Sequence, residues 1–280
     1  MDIAYNTFCE RGSVRQTNQD RVTAYAGSDF SFFAVADGMG GHSEGEYASE
    51  TVIRHVERLA DKLVNAHGDI QKAADIVISA IAAANDELFR YSAEKGIICG
   101  STVAVLVFVG SEFAVINAGD SPVYYSDRHR AVHASAEHRM GEMRIKSGLA
   151  DKMCDDIRAG RLTQAVGAAE KIFPYVRTGK LSGRQAFLLC SDGVSRYNSD
   201  RDICRLLRAA SAGRISAENA AEYLRERVYS AGAEDNLTAC IIVTENTDSG
   251  ALADDILKAV YIAMAVTAAA AAGVMIYILK

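Results

Sequence analysis

Carboxylates stand where apolar runs stop. Phe32 to Ala36 is followed by Asp37-Gly38, and Ala186 to Cys190 by Ser191-Asp192-Gly193. Asp235 immediately precedes the run from Leu237 to Thr244, and Asp120 closes another at Gly119. Short apolar runs bounded by turn residues suit interior strands, so these acids are delivered to a sheet rim. Rim carboxylates beside carbonyl oxygens that glycine leaves uncovered suit a hard divalent cation such as Mg2+ or Mn2+. Asp37 reads as the first ligand, and Asp37, Asp192 and Asp235 together form a set for two cations about 3.5–4 Å apart. Two other readings compete. Asp-Gly is a common turn dipeptide. The G-x-G-x-x-G pattern that cradles dinucleotide phosphates starts at Gly38 and Gly40 but meets Ser43 at its last position, so that fingerprint fails.

The elements that must position these acids follow from periodicity. After the glycine loop, Ala48, Val52, Val56, Leu59 and Leu63, then Ile70, Ala74, Val77, Ile81, Ala84 and Leu88, repeat at three-and-four spacing. These are surface helices covering a sheet. The stretch STVAVLVFVGSEFAVINAGDSPVYYS reads as strand, turn at Gly110-Ser111, strand, bend at Gly119-Asp120, strand. Connections this short force antiparallel pairing and exclude a doubly wound parallel sheet. Two further helices are expected over about Asp200 to Ala210 and Ala217 to Tyr229. The polar stretch His129 to Arg161 reads as a surface excursion, and RGSVRQTNQDR, with Arg15, Asn18 and Asp20, as a polar loop before the short strand VTAYA.

Composition bounds the function. The chain of 280 residues is 49% hydrophobic and 24% charged, enough for one large domain with an appendage. A net charge of −6 with no long basic cluster argues against a general affinity for nucleic acid. The six cysteines form no C-x-x-C pair, so neither a zinc site nor a disulfide framework is indicated, and a reducing cytoplasm is expected. The beginning of the chain has no basic leader and no apolar signal core. ENTDSGALADD is a polar linker, and Ala259 to Leu279 carries no charge, long enough for a helix to span a bilayer. The expected organisation is a catalytic domain at 1–245, a linker at 246–257 and a single-pass anchor at 258–280. The catalytic domain is expected to face the cytoplasm at the cell membrane.

In order along the chain stand R-x-x-N-x-D, D-G-M-G-G-H-x-x-G-E, G-S-T, G-D-S, S-D-G and D-N-L-T. Over about residues 8 to 244 this set resembles the metal-dependent protein phosphatase (PPM) family in its bacterial Ser/Thr form. The resemblance implies an α+β fold, two packed antiparallel sheets flanked by helices, and a centre of two Mn2+ or Mg2+ ions that activates a bridging water. It places Asp37 between both metals, the Gly38 carbonyl on one, and Asp192 and Asp235 on the other. Asp120 matches the ligand of a weaker third metal and Arg15 the phosphate-binding arginine. Asp20 matches an acidic residue close to the centre, and Asn236 is expected to order the turn after the last ligand. The implied substrates are proteins carrying phosphoserine and phosphothreonine, and the implied partners a bacterial Ser/Thr kinase and its substrates. The rivals are a phosphatase acting on an anti-sigma-factor antagonist and a catalytically silent phosphoprotein-binding scaffold. Departures from the pattern are Gln19 for Glu, Met39 where eukaryotic members place a candidate general-acid histidine, Pro122 for Arg, and Ser-Ala-Glu-His at 135–138 for Thr-x-Asp-His.

Overall fold

The structure, a computed structural model, describes residues 1–41, 43–66, 68–127, 130–135 and 164–246. The first sheet contains β1 (Asp2–Glu10), β11 (Leu237–Asn246), β10 (Gly183–Cys190), β7 (Val123–Ser126) and β8 (Ala131–His133), in that spatial order. The second contains β2 (Asp20–Ala26), β3 (Phe30–Met39), β5 (Val103–Val109), β6 (Glu112–Ala118) and β9 (Tyr175–Lys180), with the two-residue β4 (Gly100–Ser101) on the end of β3. All pairings between named strands are antiparallel.

Alternation along the strands builds three apolar layers. Phe33 and Val35 of β3 face Phe187 and Leu189 of β10 across the gap between the sheets, together with Leu106, Phe108 and Ile242. Phe32, Ala34 and Ala36 point the other way, onto α1 (Glu44–Glu57), α2 (Leu59–Leu63) and α3 (Ile70–Lys95). Leu188 and Cys190 likewise pack outward against α5 (Asp200–Ser211) and α6 (Ala217–Ser230). A strand covered on both faces needs apolar side chains at every position, which is why these segments read as unbroken runs. The described fold is the expected helix-flanked pair of antiparallel sheets.

The helices follow their patterns, and all eleven apolar positions assigned to the first two are buried. The first pattern is divided, however, with a break at Arg58 between α1 and α2. The start of α3 is fixed by Asp69, whose side chain accepts from Gln71 N at 2.9 Å and Lys72 N at 3.2 Å. His55, read as a satisfied surface residue, bonds Glu87 at 2.9 Å; His67 lies outside the described residues.

Three strands depart from expectation. β1 forms where no strand was foreseen, β8 lies inside the polar excursion, and β9 follows it. Residues 136–161 of that excursion, with the Ala136-Glu137-His138 stretch, and the anchor at 258–280 lie outside the described residues. β3 also does not stop at Asp37. It runs on through Gly38 and Met39, because β4 pairs there with Ser101 opposite Gly38 and Gly100 opposite Met39.

Candidate metal centre and active site

The rims of the two sheets meet at one end of the sandwich. From the second sheet come Asp37 near the end of β3 and Asp120 after β6; from the first come Asp192 after β10 and Asp235 before β11. β10 and β11 are antiparallel neighbours with Cys190 opposite Ala239, so the end of one strand lies beside the start of the other. Asp192 opens the short helix α4 (Asp192–Ser195). The four aspartates line one cavity of about 440 Å³, together with Gly38, Arg15, Gln19, Met39, Thr102, Arg196 and Asn236. A larger cavity of about 800 Å³ lies across Met39, but Phe89, Ile97, Ile98 and Phe173 are among its walls and no carboxylate lines it, so ion chemistry belongs to the smaller one.

The hydroxyl residues of two motifs, which had no assigned role, hold Asp37. Its N–H donates to Thr102 Oγ1 at 2.9 Å, and its carbonyl accepts from Thr102 N at 2.8 Å and from Ser101 Oγ at 3.0 Å. Thr102 Oγ1 in turn meets Ser121 Oγ at 2.6 Å. The serines and threonine of G-S-T and G-D-S thus fix the backbone under the central carboxylate. Gly38 and Gly193 are required by close approach: a Cβ on either would overlap a backbone oxygen, that of Gly45 or of Asn236 respectively.

Asp20, the expected neighbour of the centre, sits directly opposite Asp37 in the β2–β3 register and is 1% exposed. Its Oδ2 has no hydrogen-bond partner among the described residues. Burial pushes the Asp20 carboxyl up to about 6 against the pull of the Ser191 and Thr238 hydroxyls, with Asp192 and Asp235 adding repulsion. Asp37 is raised well above the usual carboxylate value, first by burial and then by Asp20, Asp192, Asp120 and Asp235. Like charges opposed in a sheet destabilise it, and buried charge needs compensation.

The compensation visible in the protein falls on the outer two acids. Arg15 Nη2 reaches the Asp235 carboxylate at 2.8 and 2.9 Å. Arg196 pairs with Asp192 through Nη2 and approaches Asp235 through Nη1 at 3.5 Å. Among the described residues, no three His, Cys, Asp or Glu side chains are drawn together tightly enough to make a ready-formed cage. The donor set still fits hard cations. It is all oxygen, crowded with negative charge that burial has made costly, and its outer members are already paired with positive groups.

Asn236 does something other than order its own turn. Its Oδ1 accepts from Gln19 N at 2.9 Å, and its Nδ2 donates to Arg11 O and Thr17 O, each at 2.9 Å. It therefore fastens the loop between β1 and β2, which carries Arg15, to the start of β11. Arg196 was missed altogether. The available signal was its place four residues after Asp192, the spacing at which a carboxylate and an arginine meet on a helix.

Comparison with known proteins agrees with this geometry. A serine/threonine phosphatase of Listeria monocytogenes is 25% identical over 246 residues, covering 86% of this chain and 96% of the relative. Serine/threonine protein phosphatase PstP of Mycobacterium tuberculosis is 26% identical over 253 residues, 89% of this chain and 46% of the relative. A solved structure of the PstP catalytic domain in complex with 2 manganese ions superposes with a TM-score of 0.69 at 26% identity, covering 87% of this chain and 99% of that one. The family model for protein phosphatase 2C matches residues 11–228, and with two antiparallel sheets bringing four aspartates and an arginine to one rim, the chain belongs to that family.

Proposed function

We propose that this protein hydrolyses phosphoserine and phosphothreonine esters in proteins, using two divalent cations held in the aspartate-lined cavity. The observation that carries this is the convergence of Asp37, Asp120, Asp192 and Asp235 with Arg15 in one cavity. Asp37 would lie between the two cations, with the Gly38 carbonyl on one and Asp192 and Asp235 on the other, and Asp120 would serve a weaker third. Mn2+ and Mg2+ both suit the donors. Bound there, such ions supply an activated water at neutral pH and neutralise the phosphate oxygens.

The side chains do the remaining work. Thr102 and Ser101 hold the Asp37 backbone so that its carboxylate cannot retreat from its neighbours. Asp20 stands behind it as a buried acid. Arg15, half exposed at the cavity mouth, offers a planar fork that matches two phosphoryl oxygens. A cysteine nucleophile has no place in this chemistry. None lines the cavity, and burial pushes the Cys190 and Cys240 thiols far up. A silent phosphoprotein-binding scaffold would not need an intact acid set at a single rim.

The test is hydrolysis of p-nitrophenyl phosphate, of phosphoserine and phosphothreonine peptides, and of an anti-sigma-factor-antagonist phosphopeptide by the full-length chain in mild detergent. Activity with Mn2+ or Mg2+ that chelator abolishes is expected, and a chelator-insensitive activity overturns the proposal. A strong preference for the antagonist phosphopeptide would favour the partner-switching rival.

A finer proposal is that 258–280 anchors the enzyme in the cell membrane with 1–245 in the cytoplasm, opposing a Ser/Thr kinase. It is supported by the uncharged run Ala259 to Leu279 and by the five described cysteines, all free thiols. Among the described residues no helix is long and apolar enough to cross a membrane. Release of the full-length protein by carbonate, or digestion of 1–245 by external protease in intact cells, refutes the arrangement.

A further inference from the structure

The cavity holds a second guanidinium that the proposed reaction leaves without a task. Arg196 follows Asp192 on α4, and its side chain is 56% exposed. Its backbone is fixed, with its N–H on Asp192 O at 2.9 Å and the buried Asn198 bonding Val194 O at 2.9 Å, while the long side chain lines the cavity. Arg15 enters the same cavity from a different element, the loop between β1 and β2. Both end on the same group: Arg15 Nη2 reaches the two Asp235 carboxylate oxygens at 2.8 and 2.9 Å, and Arg196 Nη1 lies 3.5 Å from Oδ2.

We propose that Arg196 is a second phosphoryl-binding residue, which closes with Arg15 on the substrate phosphate. The inference rests on the phosphatase reading above and assigns part of that site. Two arginines that share one carboxylate stand at the separation needed to share one phosphoryl group, because guanidinium forks donate to both kinds of oxyanion in the same planar, two-oxygen geometry. Once Asp192 and Asp235 turn their charge to divalent cations, the attraction holding each guanidinium to its carboxylate weakens. An arriving phosphate dianion then supplies the negative charge between them. Arg15 covers two oxygens at most, so a second fork from a different element takes what remains and fixes the rotation of the group about its ester bond. That second contact aligns the phosphorus with the attacking water.

The experiment compares wild type, Arg196→Ala and Arg196→Lys as full-length chains at saturating Mn2+. One arm measures KM for a phosphoserine peptide. A second measures inorganic phosphate binding by calorimetry, which needs no turnover. A third measures Mn2+ binding to chelator-stripped protein. Loss of one charge-assisted contact should raise KM and the phosphate dissociation constant about tenfold in Arg196→Ala. Arg196→Lys, which keeps the charge without the fork, should recover only part. Mn2+ should bind Arg196→Ala as tightly as wild type or more tightly, since a positive group beside the ligands has gone. Wild-type phosphate affinity in Arg196→Ala, or weakened Mn2+ binding, overturns the proposal. Absence of Mn2+-dependent hydrolysis in the wild type would instead sink the phosphatase reading, and phosphate calorimetry separates the two failures.

Discussion

Replacing Asn236 by alanine tests whether the loop carrying Arg15 is held by a single side chain. Asn236 is 5% exposed and makes three hydrogen bonds to that loop, from Gln19 N and to Arg11 O and Thr17 O, all at 2.9 Å. Each such bond is worth about 1 kcal/mol net, and a partner stranded away from water costs more. Arg11 is exposed and Thr17 and Gln19 half-buried, so water recovers some of the loss. The expected destabilisation is therefore about 3 kcal/mol. For a domain of this size that is a fall in Tm of roughly 6–12 °C. The kinetic consequence is separable. With its tether cut, the loop presents Arg15 in many positions, and KM for a phosphopeptide should rise while the Mn2+ affinity set by the carboxylates changes little. Asn236→Asp keeps the acceptor for Gln19 N but loses both donors and places a charge beside Asp235, so it should be no better than alanine. The assay is thermal unfolding with and without Mn2+, alongside steady-state kinetics on a phosphoserine peptide. A stability within about 0.5 kcal/mol of wild type with unchanged KM would refute the tether.

Asp37→Asn and Asp192→Asn should each abolish Mn2+-dependent hydrolysis and leave the circular dichroism spectrum unchanged, and near-wild-type turnover in either variant at moderate Mn2+ sinks the ligand assignment. Arg15→Ala should weaken phosphosubstrate binding or turnover, with calorimetric Mn2+ affinity little changed; lost Mn2+ binding with normal kinetics at saturating metal would show the role to be wrong. The raised Asp37 and Asp20 carboxyls make a pH prediction for chelator-stripped protein. Above the ordinary carboxylate pKa of about 4 the unfolded chain loses protons that the native state keeps, so these groups lower stability as pH rises through the window up to about 6 for Asp20 and higher for Asp37. Asp37→Asn should accordingly gain Tm relative to wild type as pH rises from 4 to 7 in chelator, and a difference that shrinks over that range refutes the assignment of buried repulsion.

The segments most legible in the sequence were those with two packed faces, although the edge strand β2 also read as a strand, VTAYA. β3, β5, β10 and β11 are central strands sandwiched between helices and the opposite sheet, so each presents an unbroken apolar run. β1, β8 and β9 lie at sheet edges, pair on one side only, and expose part of every face. The sequence DIAYNTFCE carries too little apolar signal to reveal such a strand, and YVRTGK carries less. The same contrast separates the site residues. Asp37, Asp192 and Asp235 interrupt or adjoin apolar runs and announce themselves locally. What positions them acts at long range: Thr102 on Asp37, Asn236 on the loop from Arg11 to Gln19, Asp20 opposite Asp37 by strand register. No local pattern encodes contacts made across 17 residues of hairpin, 65 residues or more than 200, so Asn236 reads as a turn residue until the two ends of the chain are seen side by side.

The division of the acids between two sheets explains why the core beneath them is so aromatic. Asp37 and Asp120 belong to one sheet, Asp192 and Asp235 to the other, so the spacing of the whole cavity is set by how the sheets pack. Phe33 lies four residues before Asp37 on β3, and Phe187 five before Asp192 on β10. Phe108 of β5 stands between them, edge-on to Phe33 at 6.0 Å and to Phe187 at 5.2 Å, and Phe113 meets Phe187 at 5.1 Å. Rings with few rotamers and large buried area resist sliding better than aliphatic side chains would. Repulsion among the crowded, half-buried carboxylates pushes the two rims apart, while the aromatic contacts a turn or two of pleat below hold them together. Positive charge at the cavity removes the first force without changing the second. The sandwich can thus keep four acids close before any cation arrives, at a cost in stability that binding returns.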